Sequence, residues 1–171
     1  LALSMVLLNG GEQVSLVGTD LAPQTSYAAI QPIYEMLKAQ THLADGARGI
    51  AAGSHVILIS DFYFPMEELL SFCERRAAQR ITGTLVQVFD PAEETLPWHG
   101  RVKFQDIEGI SSETLDITEV GDIRALYADK FKAHQEDLAA LGKKSGWQFE
   151  KFSTAIKPEE ALARLYNSLS H

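Results

Sequence analysis

The chain of 171 residues has the length of one ordinary domain, and its content of 46% hydrophobic and 22% charged residues excludes a disordered or a membrane-embedded protein. Fifteen basic residues against twenty-three acidic ones leave a net charge of −8, which argues against a dedicated nucleic-acid binder. The single cysteine, Cys73, excludes an intramolecular disulfide and a cysteine-based zinc cluster, and it fits the cytoplasmic location that we expect.

The first element is an apolar run over residues 1–8, followed by Gly10 and Gly11, which is typical of the end of a helix. The run is far shorter than the ~20 residues that span a bilayer and has no basic flank, so we predict neither a transmembrane segment nor a signal peptide. Because residue 1 is Leu, we interpret the chain as a fragment whose beginning lies upstream.

Three weaker elements come next. Residues 13–17 alternate in polarity and predict a short strand, and the apolar spacing over residues 27–40 predicts a helix that is kinked at Pro32 or begins there. Residues 43–52 predict a short, weak helix, because two glycines interrupt them.

The clearest pattern is a strand, a helix and a strand. Residues 55–60 and 81–89 are apolar runs typical of strands covered on both faces, and between them residues 66–77 carry one apolar helical stripe. This βαβ order predicts two adjacent parallel strands.

The pattern then changes to two short strands, residues 101–107 and 113–118, which predict a hairpin appended to the sheet. The charges of Lys103, Asp106 and Glu108 indicate that this hairpin projects from the sheet, since a doubly covered strand rarely tolerates them.

Asp122 is predicted to cap a long helix. Residues 147–152 predict a last strand, and Pro158 indicates the start of a final helix. Together the elements predict a single α/β domain over residues 1–171. Its architecture is three-layered and Rossmann-like, with a mostly parallel sheet, helices on both faces and an appended β-hairpin.

Asp61 is the leading candidate for function, because it directly follows the most apolar strand and ligands collect at the carboxyl ends of parallel strands. Ser60 lies beside it on the same edge. The alternative is that Asp61 only caps the next helix. Asp90 follows the second strand, where the order Asp90, Pro91, Glu93 fits a capping box, although a pair of carboxylates at one edge would attract a divalent cation.

The remaining chemical groups favour structural interpretations. His99 lies in a loop, His134 falls on an apolar stripe and is expected to be a packed core histidine, and Cys73 behaves as a small hydrophobe. Asp106 and Glu108 are expected to form a solvated face. The chain contains no Walker A loop, GxGxxG, GxSxG, HExxH or CxxC motif, so nucleotide hydrolysis, serine hydrolysis and zinc catalysis have no sequence support.

The strings ILISDF, at residues 57–62, and VFDPAEETLPWHGRVKFQDIEG, at residues 88–109, closely resemble a bacterial family. This is the family known as domain of unknown function fifty-eight, whose C-terminal half is a von Willebrand factor type A-like domain. The resemblance continues through Tyr127, Phe131 and His134 and covers essentially the whole chain.

The resemblance implies a metal-ion-dependent adhesion site, which is built from a DxSxS motif, a loop threonine and an aspartate. Thr41 in AQTHL matches the threonine and Asp61 the aspartate, whereas no DxSxS occurs in these residues. We therefore expect that motif upstream of Leu1, Mg²⁺ in the full-length protein, and no tightly bound metal in this fragment.

The resemblance also implies a partner, a MoxR-type AAA+ ATPase that the domain would serve as adaptor or co-chaperone. The leading hypothesis is thus a non-enzymatic protein-interaction module with no nucleic-acid partner. The alternative is a metal-assisted phosphoesterase or similar hydrolase using Asp61 and Asp90, which a second Asp or His close to Asp61 would favour. Nucleotide binding at the same edge would need a glycine-rich turn, which the chain lacks.

Overall fold

A computed structural model describes most of the chain. The described residues are 1–19, 21–39, 50–97, 102–105, 114–117 and 120–169, with only the backbone described at 39, 102–105, 114–117 and 120–123.

The described helices and strands follow one another along two compact units. The first unit comprises Leu1–Ser54, Gln79–Ile81 and Pro158–His171, and the second comprises His55–Ala78 and Thr82–Lys157. The helices are α1 (Ala2–Asn9), α2 (Ile30–Ala39), α3 (Met66–Ala78), α4 (Pro91–Thr95), α5 (Val120–Ser145) and α6 (Pro158–Leu169), and the strands are β1 (His55–Ser60), β2 (Thr82–Phe89), β3 (Val102–Gln105), β4 (Thr114–Ile117) and β5 (Gln148–Ser153).

The first unit contains α1, α2, α6 and a 3₁₀ turn at Tyr27–Ala29 that leads into α2. A cluster of apolar side chains forms its core, namely Leu8, Val14, Ala29 and Ile33. The helices predicted over residues 1–8 and 27–40 are confirmed. Pro32 lies in the first turn of α2, where its missing N–H breaks no helical hydrogen bond.

Two predictions for the first unit have other outcomes. The strand predicted at residues 13–17 is wrong: Val14 forms only an isolated antiparallel bridge with Gln24. Gly11 and Gly18 both have positive φ, so they turn the backbone on either side and leave too short an extended stretch for a strand. Of the helix predicted at residues 43–52, residues 50–52 are not helical and the others lie outside the described residues.

The second unit is built on a parallel sheet in the order β1-β2-β5, with His55 opposite Thr82 and Thr84 opposite Gln148. The adjacent, parallel placement predicted for the strands at residues 55–60 and 81–89 is therefore confirmed, and so are the predicted last strand and final helix.

Both α3 and α5 pack on one face of this sheet. A β-carbon at Gly83 would lie 2.2 Å from the Trp147 ring, so only glycine lets that ring lie flat on β2. Phe72 of α3 meets Trp147 edge-on at 6.0 Å, and Phe89 of β2 meets Phe131 of α5 in the same way at 5.3 Å. Tightly packed aromatic contacts thus fix the helices over the strands.

Full coverage of β1 on both faces is not observed. Val56 is buried, but Ile59, whose side chain points to the opposite face of the strand, is 59% exposed. β2, which has a strand on each side, has the more continuous burial.

The predicted hairpin is confirmed in its pairing, since β3 and β4 form a separate antiparallel sheet with Val102 opposite Ile117. The exposure predicted for Lys103, Asp106 and Glu108 concerns side chains outside the described residues. The long helix α5 is confirmed and begins at Val120, two residues before Asp122, whose side chain lies outside the described residues.

In the part of the chain that the structure describes, no helix combines the length and the apolar character needed to cross a membrane.

Candidate functional site

The candidate site is the carboxyl edge of the parallel sheet, defined here as residues 60–63 after β1, residues 90–93 after β2, and Thr154 after β5. Asp61 is exposed on this edge, and its Oδ1 accepts hydrogen bonds from Ser60 Oγ (3.3 Å) and from the backbone N–H of Tyr63 (3.1 Å). Asp61 thus forms an Asx turn. The helix-cap alternative is wrong, because α3 begins only at Met66.

The turn after β1 has an unusual backbone. Phe62 has φ +62°, a left-handed conformation that is unfavourable for a bulky residue, and its side chain is only 1% exposed. The burial of this ring is what holds the unfavourable conformation in place. As a result the neighbouring side chains of Asp61 and Tyr63 are fixed at the surface.

Tyr63 is 52% exposed, and its ring stacks on His134 of α5 with centroids 4.9 Å apart and planes at 15°. The predicted core position of His134 is wrong: the residue is half-buried and lies at the carboxyl edge, while the buried positions of α5 next to it are Phe131, Gln135 and Leu138. The Tyr63 hydroxyl lies beside the Tyr127 hydroxyl and the Glu93 carboxylate. Burial raises the pKa of both tyrosines. The charges of Tyr127 and then Glu93 raise the pKa of Tyr63 further, and the charge of Glu93 does so for Tyr127, so both hydroxyls stay protonated at neutral pH.

Asp90 has the capping role that the sequence pattern predicted. Its Oδ1 accepts from the N–H of Ala92 (2.7 Å), and Glu93 Oε1 accepts in return from the N–H of Asp90 (2.9 Å), which completes a capping box. Its second oxygen, Oδ2, accepts from Thr154 Oγ1 at 3.3 Å. Both carboxylate oxygens of Asp90 are therefore engaged within the fold.

The described residues of the carboxyl edge do not by themselves fit a Mg²⁺ ion. Asp61 supplies one exposed carboxylate, while the Ser60 hydroxyl already donates to Asp61 and accepts from the N–H of Phe62 (3.1 Å). Within the described ranges, three His, Cys, Asp or Glu side chains do not come together at any point. Mg²⁺ gives up its waters reluctantly and needs more ligands than this. Thr41, the second predicted ligand, lies outside the described residues.

Of the other candidate residues, Cys73 is among those that the structure describes. Cys73 is fully buried, as predicted, and burial raises the pKa of its thiol to about 12, so it is not a nucleophile. His99, Asp106 and Glu108 lie outside the described residues.

Sequence reasoning missed four residues of the site. Tyr127 and Thr154 reach it only through tertiary packing, whereas Tyr63 lies two residues after Asp61, in the same turn. Gln87 carried a local signal, since it is an amide inside the apolar strand β2, and buried polar groups of that kind have a specific partner. That partner is the backbone carbonyl of Asp61.

The family model described as Protein of unknown function DUF58 matches residues 14–137, which is well over half of the chain and includes Asp61, Gln87, Asp90 and His134. No curated protein and no solved structure matches the chain.

Proposed function

The chain belongs to the DUF58 family of proteins of unknown function, and we propose that it acts as a non-enzymatic protein-interaction module with a von Willebrand factor A-like, three-layer fold. The observation that carries the proposal is the exposed Asp61 carboxylate, held in a fixed turn at the carboxyl edge of a parallel sheet. Ligands of open parallel sheets bind at this edge.

The chemistry of the edge supports recognition rather than reaction. Tyr63 offers a half-exposed aromatic ring, a residue type enriched at interfaces, and Asp61 offers a charge that can steer a partner of opposite charge. The nearby Tyr63 and Tyr127 hydroxyls stay protonated, and they lie beside one another and beside the Glu93 carboxylate. The Ser60 and Thr154 hydroxyls of the edge donate to Asp61 and Asp90, at 3.3 Å in each case.

The partner that we propose is a MoxR-type AAA+ ATPase, which the chain would serve in the cytoplasm as adaptor or co-chaperone. Support for this partner comes from the family resemblance alone. The hydrolase alternative has one observation in its favour, since His134 lies close to Asp61, but its Nε2 faces the Asp61 backbone carbonyl at 3.4 Å. A metal-assisted reaction needs free carboxylates, whereas Asp90 has one oxygen in the helix cap and the other bonded to Thr154.

The proposal is tested by binding of the ATPase to the chain and to two variants. Asp61→Asn removes the charge but retains an oxygen that accepts the turn's hydrogen bonds. Asp137→Asn, at an exposed position of α5, is the matched control. We expect Asp61→Asn to weaken binding at least about tenfold and Asp137→Asn to leave it unchanged. Equal binding by Asp61→Asn and the parent chain, or no binding at all, would contradict the proposal.

The metal part of the proposal makes a separate prediction. Thr41 and Asp61 would be two ligands of a Mg²⁺ ion in the adhesion-type site, and together they replace too few of its waters. We expect calorimetric titration of this chain to show weak Mg²⁺ binding, with a Kd no tighter than about 1 mM. Tight binding would overturn the adhesion-site ligand set and leave the protein-interaction proposal to the ATPase experiment.

A further inference from the structure

Two side chains from different elements converge on one backbone carbonyl, that of Asp61. Gln87 Nε2 of β2 donates to it at 3.4 Å, and His134 Nε2 of α5 lies at the same distance. Because a carbonyl oxygen only accepts, His134 carries a proton on Nε2. From this convergence we infer that Gln87 and His134 are positioning residues, which hold the turn that presents Asp61 and Tyr63 at the carboxyl edge.

The turn needs such support because of Phe62. A bulky residue with φ +62° is strained, and strained turns persist only where the surroundings over-determine them. The buried Phe62 ring anchors the turn from below, and the two donors fix the peptide that precedes it. His134 adds a second restraint, since its ring also stacks on Tyr63.

Stability alone does not explain a glutamine at position 87. The side chain is 0% exposed in the central strand of the described sheet, and its Oε1 is buried with no hydrogen-bond partner among the described residues. A buried polar atom without a partner lowers stability, whereas an apolar residue of similar size would not. The unpartnered Oε1 of Gln87 therefore lowers the stability of the core, while its Nε2 holds the Asp61 carbonyl.

The chain supplies a matched control in Gln135. This residue is also a buried glutamine, 8% exposed, with an unpartnered amide atom, its Nε2. Its Oε1 accepts from Lys151 Nζ at 2.7 Å, so it has no described bond to the turn. Both Gln87→Leu and Gln135→Leu remove a buried amide, but only Gln87→Leu removes the hydrogen bond to the Asp61 carbonyl, so the comparison separates the two effects.

The experiment measures the turn, the stability and the binding of the same proteins. We expect Gln87→Leu to move the NMR signals of the Tyr63 backbone amide and ring, while the thermal midpoint stays at or above that of the parent chain. Gln135→Leu should leave the Tyr63 signals in place. His134→Phe retains the ring stack but removes the donor, so it should also move the Tyr63 amide signal. The double variant, Gln87→Leu with His134→Phe, should move that signal further than either single variant.

The consequence for function rests on the proposed interaction at Asp61. If the ATPase binds the parent chain, Gln87→Leu should weaken that binding roughly three- to tenfold, the range expected for one lost hydrogen bond. If it does not bind, the proposed function fails and the NMR signals alone decide the positioning role. Unmoved Tyr63 signals in Gln87→Leu, or a thermal midpoint that falls by several degrees, would overturn the inference.

Discussion

His55, the first residue of β1, shows how a single side chain joins two strands. Its Nδ1 lies 2.9 Å from Thr82 Oγ1 and its Nε2 lies 2.8 Å from Thr84 Oγ1. The Thr84 hydroxyl donates to Gln148 Oε1 at 3.3 Å, so it accepts from His55, which must carry its proton on Nε2. Nδ1 is then the acceptor from Thr82. The described network thus stabilises the neutral imidazole.

This arrangement predicts a pH dependence of stability. Burial of the ring lowers the pKa of His55 below 6.5, so the unfolded chain binds a proton more readily than the folded one. The His55 contribution is therefore complete above about pH 6.5 and is lost as the pH falls through the lowered folded value. We expect the urea midpoint to decrease from pH 7.5 to pH 5.5, with a smaller decrease in His55→Gln. An identical decrease in both proteins would contradict this.

Among the elements, α4 depends most on its cap. A helix of five residues, Pro91–Thr95, is too short to be stable by its own hydrogen bonds. The capping box at Asp90 and Glu93 satisfies its first N–H groups, and Thr154 ties the same carboxylate to the residue after β5. The element is therefore held by side chains at its N-terminus.

Asp90→Ala tests this dependence. We expect it to lower the free energy of unfolding by about 0.5–2 kcal/mol, the usual effect of removing an N-cap. Glu94→Ala, an exposed position in the same helix, is the control and should have little effect. Chemical denaturation of both variants gives the comparison, and equal stabilities would show that the cap is unimportant.

An element could be predicted from the sequence where residues close together in the chain determine it. β1, β2, α3 and α6 follow from apolar runs and stripes in the sequence, and Asp61 and Asp90 follow from the ends of those strands. The strand predicted at residues 13–17 is wrong because the turns at Gly11 and Gly18, and not the polarity pattern, determine the backbone conformation there. The positions of His134 and Gln87 against Asp61 could not be predicted, since those contacts join residues 73 and 26 positions apart.

At the scale of the whole molecule, the acidic net charge of −8 and the exposed carboxylate at the edge favour a partner with a cationic surface. The three parallel strands bring Asp61, Asp90 and Thr154 to one edge, and the contacts of Tyr63 and His134 join α5 to it. The second unit therefore brings these residues to one edge of its sheet, where we propose that the partner binds.

Hydrogen exchange of the chain, with and without the MoxR-type ATPase, locates the bound surface. If the carboxyl edge is the docking site, residues 61–64 and 90–95 gain protection, while the network around His55, Thr84 and Gln148 at the opposite ends of the strands stays unchanged. Protection confined to those opposite ends, or no protection in a complex that forms, would contradict a partner site at Asp61.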